Sequence, residues 1–191
     1  MEEVFRYLEE WFEDYLERLR KLCRQPSVAA QDLGMAETAQ MVQELLEELG
    51  AETQMVETSG YPVVYGGLRG RGEKTLAFYN HYDVQPPEPL EEWDSGPFAA
   101  EVRDGKLFAR GAVDNKGNLI ARIAAVAAYL KVHGELPLTV KFIVEGEEEI
   151  GSPHLGEFAA AHPDLVQSDG CIWEFGDKDF QERPQIYLGL K

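Results

Sequence analysis

Short apolar runs alternate with helical periodicity along this chain, and this alternation limits its fold more than any other feature. Thr75–Tyr79 and the β-branched run Leu138–Glu145 predict buried central strands. Between them, Asn118–His133 is mostly apolar on all sides, as expected of a helix that packs against a sheet. Strands that alternate with helices predict an α/β fold with a largely parallel or mixed sheet.

Two further helices are predicted before the first central strand. Apolar residues recur at helical spacing over residues 2–24, and Pro26 ends that predicted helix. Gly34–Leu49 has the same periodicity, and Gly50 is expected to end it in the left-handed conformation. Their apolar faces are predicted to lie in the core and their acidic faces in water.

The rest of the chain gives weaker signals of structure. A later helix is predicted to start with Ser152 as its cap and Pro153 as its first residue. Val84–Phe98, which contains four prolines, predicts a fixed loop. The remaining predicted strands are Glu52–Val56, Val63–Gly66, Lys106–Phe108 after the Asp104-Gly105 turn, Gly170–Glu174 and Gln185–Leu190.

The charge and cysteine content exclude several classes of protein. With 35 acidic against 18 basic residues and a net charge of -17, the chain is a poor match for nucleic acid or an anionic membrane. Cys23 and Cys171 are the only cysteines, so no disulfide framework is expected and a reducing compartment fits. Neither a signal peptide nor a bilayer-spanning run is recognisable, which predicts a cytoplasmic protein.

Acidic and histidine residues occur where predicted strands end or helices begin. They are His81 with Asp83, then Asp114, the cluster Glu147–Glu149, and Glu174. Successive α/β units return to one edge of a sheet, so these groups are expected to lie near one another. Imidazole and carboxylate together suit divalent cations, and two such ions can activate a water and polarise a carbonyl oxygen.

Each of these signals also has an ordinary structural explanation. A His-x-Asp pair is often structural, Asp114 alone is a suitable helix cap, and three consecutive glutamates usually form a solvated turn. However, Glu147–Glu149 directly follow an apolar strand, which is an awkward position for a merely solvated run. The four signals together therefore favour a metal site.

Three motifs in this order resemble the metal-dependent exopeptidases of clan MH. They are HYDVQPPEPLEEWDSGPF, GAVDNKGN and EGEEEIGSPHL. That group includes carnosine dipeptidases, aminoacylase, carboxypeptidase G and succinyl-diaminopimelate desuccinylase, and the first motif is similar to its dipeptidase-like branch. The resemblance implies a three-layer helix-sheet-helix catalytic domain of the phosphorylase/hydrolase-like zinc exopeptidase type. It also implies hydrolysis of a dipeptide or, alternatively, of an N-acyl amino acid by a deacylase or desuccinylase on the same core.

The resemblance also implies a role for each candidate residue. His81 and Glu174 would bind the first metal ion, and Asp114 would bridge both ions before a cis peptide bond to Asn115. Asp83 would orient the His81 imidazole. The cofactors would be two divalent ions, most commonly zinc, with manganese or cobalt as substitutes.

Within the glutamate cluster the implied roles differ. Glu148 would be the general base for the attacking water, and Glu149 would bind the second metal ion. Glu147 would be a bystander, and His154 is not expected to be a ligand.

The chain is shorter than members of this group. Residues 1–191 resemble the N-terminal segment of the catalytic domain, and residues 186–191 resemble the crossing into a lid domain. The lid, through which a full-length protein would form a homodimer, and a last metal-binding histidine would lie further on. A non-catalytic metal-binding fragment is therefore the alternative from a different functional class.

Overall fold

The protein is described by a computed structural model in which residues 1–173, 177–181, 183–185 and 189 are described. The helices are α1 (Glu2–Glu10), α2 (Phe12–Arg24), α3 (Met35–Glu48), α4 (Lys116–His133), α5 (Leu155–Ala161) and α6 (Pro163–Val166). The strands are β1 (Glu52–Val56), β2 (Val63–Leu68), β3 (Thr75–His81), β4 (Glu101–Arg103), β5 (Lys106–Phe108), β6 (Thr139–Glu145), β7 (Gly170–Ile172), β8 (Asp177–Lys178) and β9 (Pro184–Gln185).

Five strands form a mixed central sheet in the order β1-β2-β6-β3-β7. The central strands β6 and β3 run parallel, and so do β3 and β7, whereas β2 is antiparallel to both β1 and β6. The parallel pair β3–β6 is joined through α4, the βαβ connection expected from the sequence. All three residues of the edge strand β7 are exposed.

Successive residues of the central strands enter two different cores, one on each face of the sheet. In β6, Phe142 and Val144 belong to the core formed with α2, α3 and α4, whereas Ile143 belongs to the core with α5 and α6. In β3, Phe78 and Ala77 divide in the same way. This two-residue alternation gives the predicted helix-sheet-helix arrangement, with helices on both faces of the sheet.

The prediction of one helix over residues 2–24 was wrong in one respect. The backbone leaves helical geometry at Trp11, with φ -103° and ψ 12°, and α1 and α2 are separate helices on either side of it. The sequence has neither proline nor glycine at this point, and both helices contact α4. The bend therefore depends on how the two halves pack over α4, which local propensity does not record.

The helix predicted after Gly151 begins later than expected. Its cap is His154 and its first residue is Leu155, so Ser152 and Pro153 both precede it. Ser152 has a positive φ of 51°, and its hydroxyl donates to Glu145 Oε1 at 2.8 Å rather than to the helix. A contact with the preceding strand thus replaces the predicted helix cap.

Most other predicted elements agree with the structure, but Trp173 and Gly189, which belong to predicted strands, lie outside any strand. The hairpin β4–β5 turns through Asp104 and Gly105, which both have a positive φ. Gly50 has the predicted left-handed conformation, with a φ of 91°. The predicted strands at Gly170–Glu174 and Gln185–Leu190 are described only to Trp173 and at Gln185 and Gly189. No helix in the described ranges is both long enough and apolar enough to cross a bilayer.

Candidate metal centre

The carboxyl ends of the two central strands bring the first candidate residues together. His81 is the last residue of β3 and lies opposite Glu145, the last residue of β6. The His81 and Asp83 side chains are fully buried. The predicted edge of the sheet is therefore also the edge at which these side chains meet.

The two nitrogens of His81 face different surroundings. Nδ1 lies 3.0 Å from the Asp83 carbonyl oxygen and 3.2 Å from its carboxylate Oδ1. Both neighbours of Nδ1 accept hydrogen bonds, so the tautomer with its hydrogen on Nδ1 satisfies them and leaves the Nε2 lone pair available to a cation. Nε2 points toward two carboxylates, 2.9 Å from Asp114 Oδ1 and 3.8 Å from Glu148 Oε2.

Asp114 reaches the centre from the loop before α4. Its side chain is 66% exposed, and the Asp114–Asn115 peptide bond is cis, as the resemblance implies. The Asn115 side chain is buried and accepts a hydrogen bond from Asn80 on β3. This contact fixes the loop beside the residue that precedes His81.

A buried lysine ties the start of α4 to the end of α2. The Lys116 side chain is fully buried, and Nζ donates to the carbonyl oxygens of Leu22 at 3.0 Å and Gln25 at 2.8 Å. Burial lowers the pKa of Lys116 to about 8. The carbonyls at the C-terminal end of α2 are thus satisfied by the residue two positions after Asp114.

The Asp83 carboxylate also holds the glutamate turn in place. Oδ1 accepts the backbone N–H of Glu148 at 3.2 Å, and Oδ2 accepts that of Glu149 at 3.0 Å. One buried carboxylate therefore contacts His81 on one side and the turn on the other. It links the ends of β3 and β6 at the centre.

Gln85 is a residue of the site that the sequence did not single out. Its Nε2 donates to the Glu149 carboxylate at 2.7 Å and to the Glu149 carbonyl oxygen at 3.2 Å. Gln85 stands in the proline-rich loop only two residues after Asp83. This position close to a candidate metal site is the sequence feature that could have identified Gln85.

Glu145, at the end of β6, is a second residue of the site that the sequence did not single out. Glu145 is buried, and its Oε1 accepts hydrogen bonds from the Tyr79 hydroxyl and from Ser152 at 2.8 Å. Burial raises the pKa of Glu145 above its ordinary value, and these two hydrogen bonds oppose that rise. Its position at the end of an apolar strand was visible in the sequence, but its partners were not.

The donor atoms fit a divalent cation. Ligand atoms of His81, Asp114 and Glu149 all lie within 4.8 Å of one another. His81 Nε2 lies 2.9 Å from Asp114 Oδ1, so in the tautomer with its hydrogen on Nδ1 both atoms can donate electron pairs to one cation. One imidazole with carboxylates is a donor set that zinc and related ions accept.

Glu148 lies beside this cluster in a partly desolvated position. Its side chain is 31% exposed. Burial is the main cause that raises the pKa of its carboxyl, and the nearby charges of Glu149 and Asp114 add to the rise, whereas His81 opposes it. A carboxylate with a raised pKa accepts a proton more readily than an ordinary carboxylate does.

Glu174, the remaining candidate ligand, lies outside the described residues. The residue before it, Trp173, stacks on the Tyr79 ring with a centroid separation of 3.7 Å. The Trp173 carbonyl oxygen accepts a hydrogen bond from Arg122 of α4, which also donates to Asn80 Oδ1 at 2.7 Å. The chain is thus held next to β3 immediately before Glu174.

The chain matches a known protein family over the same region. The model of peptidase family M20/M25/M40 matches residues 77–186, more than half of the chain and the part that contains every candidate site residue. The chain belongs to peptidase family M20/M25/M40. This membership confirms the resemblance to metal-dependent exopeptidases.

Relatives of this M20 chain include peptidases and a desuccinylase. The human Beta-Ala-His dipeptidase is 31% identical over all of this chain and 41% of its own length. A succinyl-diaminopimelate desuccinylase of Burkholderia orbicola is 39% identical over 58% of this chain and 30% of its own. The chain therefore spans well under half the length of these relatives.

A solved structure has the same fold. An M20 family metallo-carboxypeptidase of Sulfolobus solfataricus has a TM-score of 0.85 and 40% sequence identity, over 90% of this chain and 39% of that protein. This similarity confirms the predicted fold class and places the chain within a metallopeptidase architecture.

Proposed function

We propose that this chain supplies the first part of the active site of a metal-dependent hydrolase that cleaves peptide bonds, most simply a dipeptidase or related exopeptidase. The observation that carries the proposal is the convergence of His81, Asp114 and Glu149 within 4.8 Å, next to the raised pKa of Glu148. Membership of the M20 family and the names of its dipeptidase relatives support the reaction class.

In this proposal His81, Asp114 and Glu149 would hold the divalent ions, with Glu174 as a further ligand. Zinc is the proposed metal, and manganese or cobalt are substitutes. When bound, such ions polarise the substrate carbonyl and lower the pKa of the attacking water. Asp83 contacts Nδ1 of His81 and would hold the ring in the orientation that leaves Nε2 free to bind a metal ion.

Glu148 is the proposed general base. Its Oε2 lies 3.8 Å from His81 Nε2, at the border of the metal cluster. Glu148 would accept the proton of the attacking water and then donate it to the leaving amine. The backbone N–H groups of Glu148 and Glu149 donate to the Asp83 carboxylate, and these two hydrogen bonds keep the two glutamates in a fixed relation.

The proposed substrate is a dipeptide, with an N-acyl amino acid as the alternative. The first is supported by the dipeptidase that matches the whole chain, and the second by the desuccinylase that matches 58% of it. Hydrolysis rates for a panel of unblocked dipeptides and N-succinyl or N-acetyl amino acids would separate the two activities.

We also propose that residues 1–191 form the N-terminal segment of a longer catalytic domain. The short share of each relative that the chain covers supports this. The rest of that domain would supply the last metal-binding histidine, and a lid domain would form a homodimer. The chain together with such C-terminal residues is called the completed enzyme below. A cytoplasmic location, expected from the cysteine content, remains part of the proposal.

The 191-residue chain alone is expected to bind at most one zinc ion tightly and to be inactive on dipeptides. The second ion would have only Asp114 and Glu149 from this chain, whereas zinc sites generally have at least three protein ligands. Calorimetric titration with zinc, beside a dipeptide hydrolysis assay, tests this. Two tight sites or enzyme-like turnover would contradict it, and a completed enzyme that binds zinc without turnover would favour a non-catalytic metal-binding protein.

Replacement of Asp83 by asparagine is expected to reduce zinc affinity or activity by about 10–100-fold, the usual effect of losing a partner of a metal-binding histidine. Asparagine has the size of aspartate but only one acceptor oxygen in its side chain. In the wild type both carboxylate oxygens of Asp83 are used, by the turn and by His81. Asp94→Asn, in the same loop region, is the control. Zinc affinity equal to that of the wild type would make Asp83 purely structural.

A further inference from the structure

We propose that His154 and Glu147 form a positioning pair that holds the turn carrying Glu148 and Glu149. His154 Nδ1 donates to Glu147 Oε2 at 2.8 Å. Glu147 is only 5% exposed, so its carboxylate has little water to replace this partner. The roles of Glu148 and Glu149 are those of the proposed function, and the inference rests on it to that extent.

Two sets of contacts hold the two ends of the glutamate turn together, one in the main chain and one between the side chains of the pair. In the main chain, the Glu147 carbonyl oxygen accepts the N–H of Ile150 at 3.2 Å and that of Ser152 at 2.8 Å. At the level of side chains, the carboxylate of Glu147 is bound by His154. Glu148 and Glu149 lie in sequence between the residues that make these contacts. Their backbone is therefore held by Glu147 on one side and by His154 on the other.

His154 is itself well anchored. It is the cap residue of α5, and its carbonyl oxygen accepts the N–H of Phe158 at 3.0 Å. Phe158 is buried in the core between α5 and the sheet. The pair therefore connects the turn to an element whose position is fixed by packing, rather than to another loop.

The loop between β1 and β2 covers the pair from the other side. A Cβ atom at Gly60 would lie 2.1 Å from Glu147 Oε1 and 2.4 Å from His154 Nδ1. The Gly60 backbone thus lies directly against both partners, at a distance that only glycine allows. The neighbouring Ser59 hydroxyl donates to Glu157 Oε1 of α5 at 3.2 Å, which keeps this loop in place.

These contacts assign to His154 a role that differs from metal binding. The ring acts through Glu147 on the geometry of the turn and does not touch the metal cluster. Its loss would leave a buried carboxylate without its partner, and the turn would open to supply water to it. The expected consequence is a less ordered Glu149 and hence weaker metal binding.

Amide hydrogen exchange of the metal-free chain tests the positioning role without any reference to activity. In His154→Ala, exchange at the Glu148, Glu149, Ile150 and Ser152 amides is expected to accelerate about tenfold, as for the loss of one hydrogen bond. His154→Asn, whose amide nitrogen replaces Nδ1, is expected to restore the wild-type rates. His133→Ala, at the exposed end of α4, is the control. Unchanged exchange in His154→Ala, or acceleration spread evenly over the whole sheet, would overturn the proposal.

Zinc titration then separates this inference from the proposed function. In the completed enzyme, His154→Ala is expected to weaken binding of the second zinc ion, the one assigned to Glu149, about 10–100-fold, with recovery in His154→Asn. Gly60→Ala, in the loop between β1 and β2, should also weaken zinc binding, because its methyl group would displace Glu147 and His154. Gly156→Ala should leave zinc binding unchanged, because a Cβ atom there has no neighbour within 4 Å. If the wild type fails to bind zinc, the proposed function fails and the exchange data alone decide this inference. If the wild type binds and both variants bind equally well, the positioning role is wrong.

Discussion

Replacement of Glu148 by glutamine is expected to reduce kcat of the completed enzyme by about 10²–10⁴-fold, the usual contribution of a general base, and to leave the metal content unchanged. Glutamine has the shape of glutamate but cannot accept a proton near neutral pH. The backbone N–H of residue 148 can still donate to Asp83, so the turn keeps its position. Steady-state kinetics and metal analysis of the same preparation provide the test.

Glu149→Gln is the matched variant, because it makes the same chemical change one residue further on. Its expected result is the reverse, a loss of the second metal ion, since the replaced oxygen is one of the clustered ligand atoms. Glu3→Gln, on the exposed side of α1, is the control for the loss of a negative charge. If Glu148→Gln loses metal and Glu149→Gln keeps it, the two roles are exchanged.

The meeting of candidate residues at one sheet edge could be predicted because it follows from the strand patterns alone. The apolar runs before His81 and before Glu147 identify two strands, and the long apolar helix between them makes those strands parallel. Parallel neighbours end at the same edge, so His81 and the glutamate turn had to be close. The particular roles of Glu148 and Glu149 came instead from the family resemblance.

The supporting contacts could not be predicted, because each joins residues that are far apart in sequence or unremarkable in type. Gln85 reaches Glu149 across the two strands, and Lys116 binds carbonyl oxygens near the end of α2. Ser152 looked like a helix cap by its residue type. Its hydroxyl instead finds Glu145, because a positive φ turns the chain back toward the end of β6.

Gly146 lies in the metal centre at a position where the Tyr82 ring leaves no room for a side chain. It lies between Glu145 and Glu147, and a Cβ atom there would lie 2.3 Å from both Cζ and the hydroxyl oxygen of Tyr82. Tyr82 is fully buried, and its hydroxyl donates to the Pro62 carbonyl oxygen at 2.9 Å. Its backbone N–H donates to the Glu145 carbonyl oxygen at 2.8 Å. Burial and the hydroxyl hydrogen bond therefore oppose a displacement of the ring.

Gly146→Ala is accordingly expected to reduce the free energy of unfolding by about 3 kcal/mol, the upper end of the usual cost of overpacking. Gly156→Ala is the control, because it adds the same methyl group in a helix with no atom within 4 Å and should stabilise the chain by up to about 1 kcal/mol. Urea denaturation of the 191-residue chain measures both changes.

A double variant identifies the clash as the cause. Tyr82→Leu removes the ring atoms that the new methyl group would meet, and on its own it is expected to destabilise the chain by leaving a cavity. If the ring is the obstacle, Gly146→Ala should cost clearly less in the Tyr82→Leu background than in the wild type, by an interaction energy of about 1–3 kcal/mol. Strictly additive costs would show that the Tyr82 ring is not the obstacle, since Gly146 does not have a positive φ that would itself require glycine.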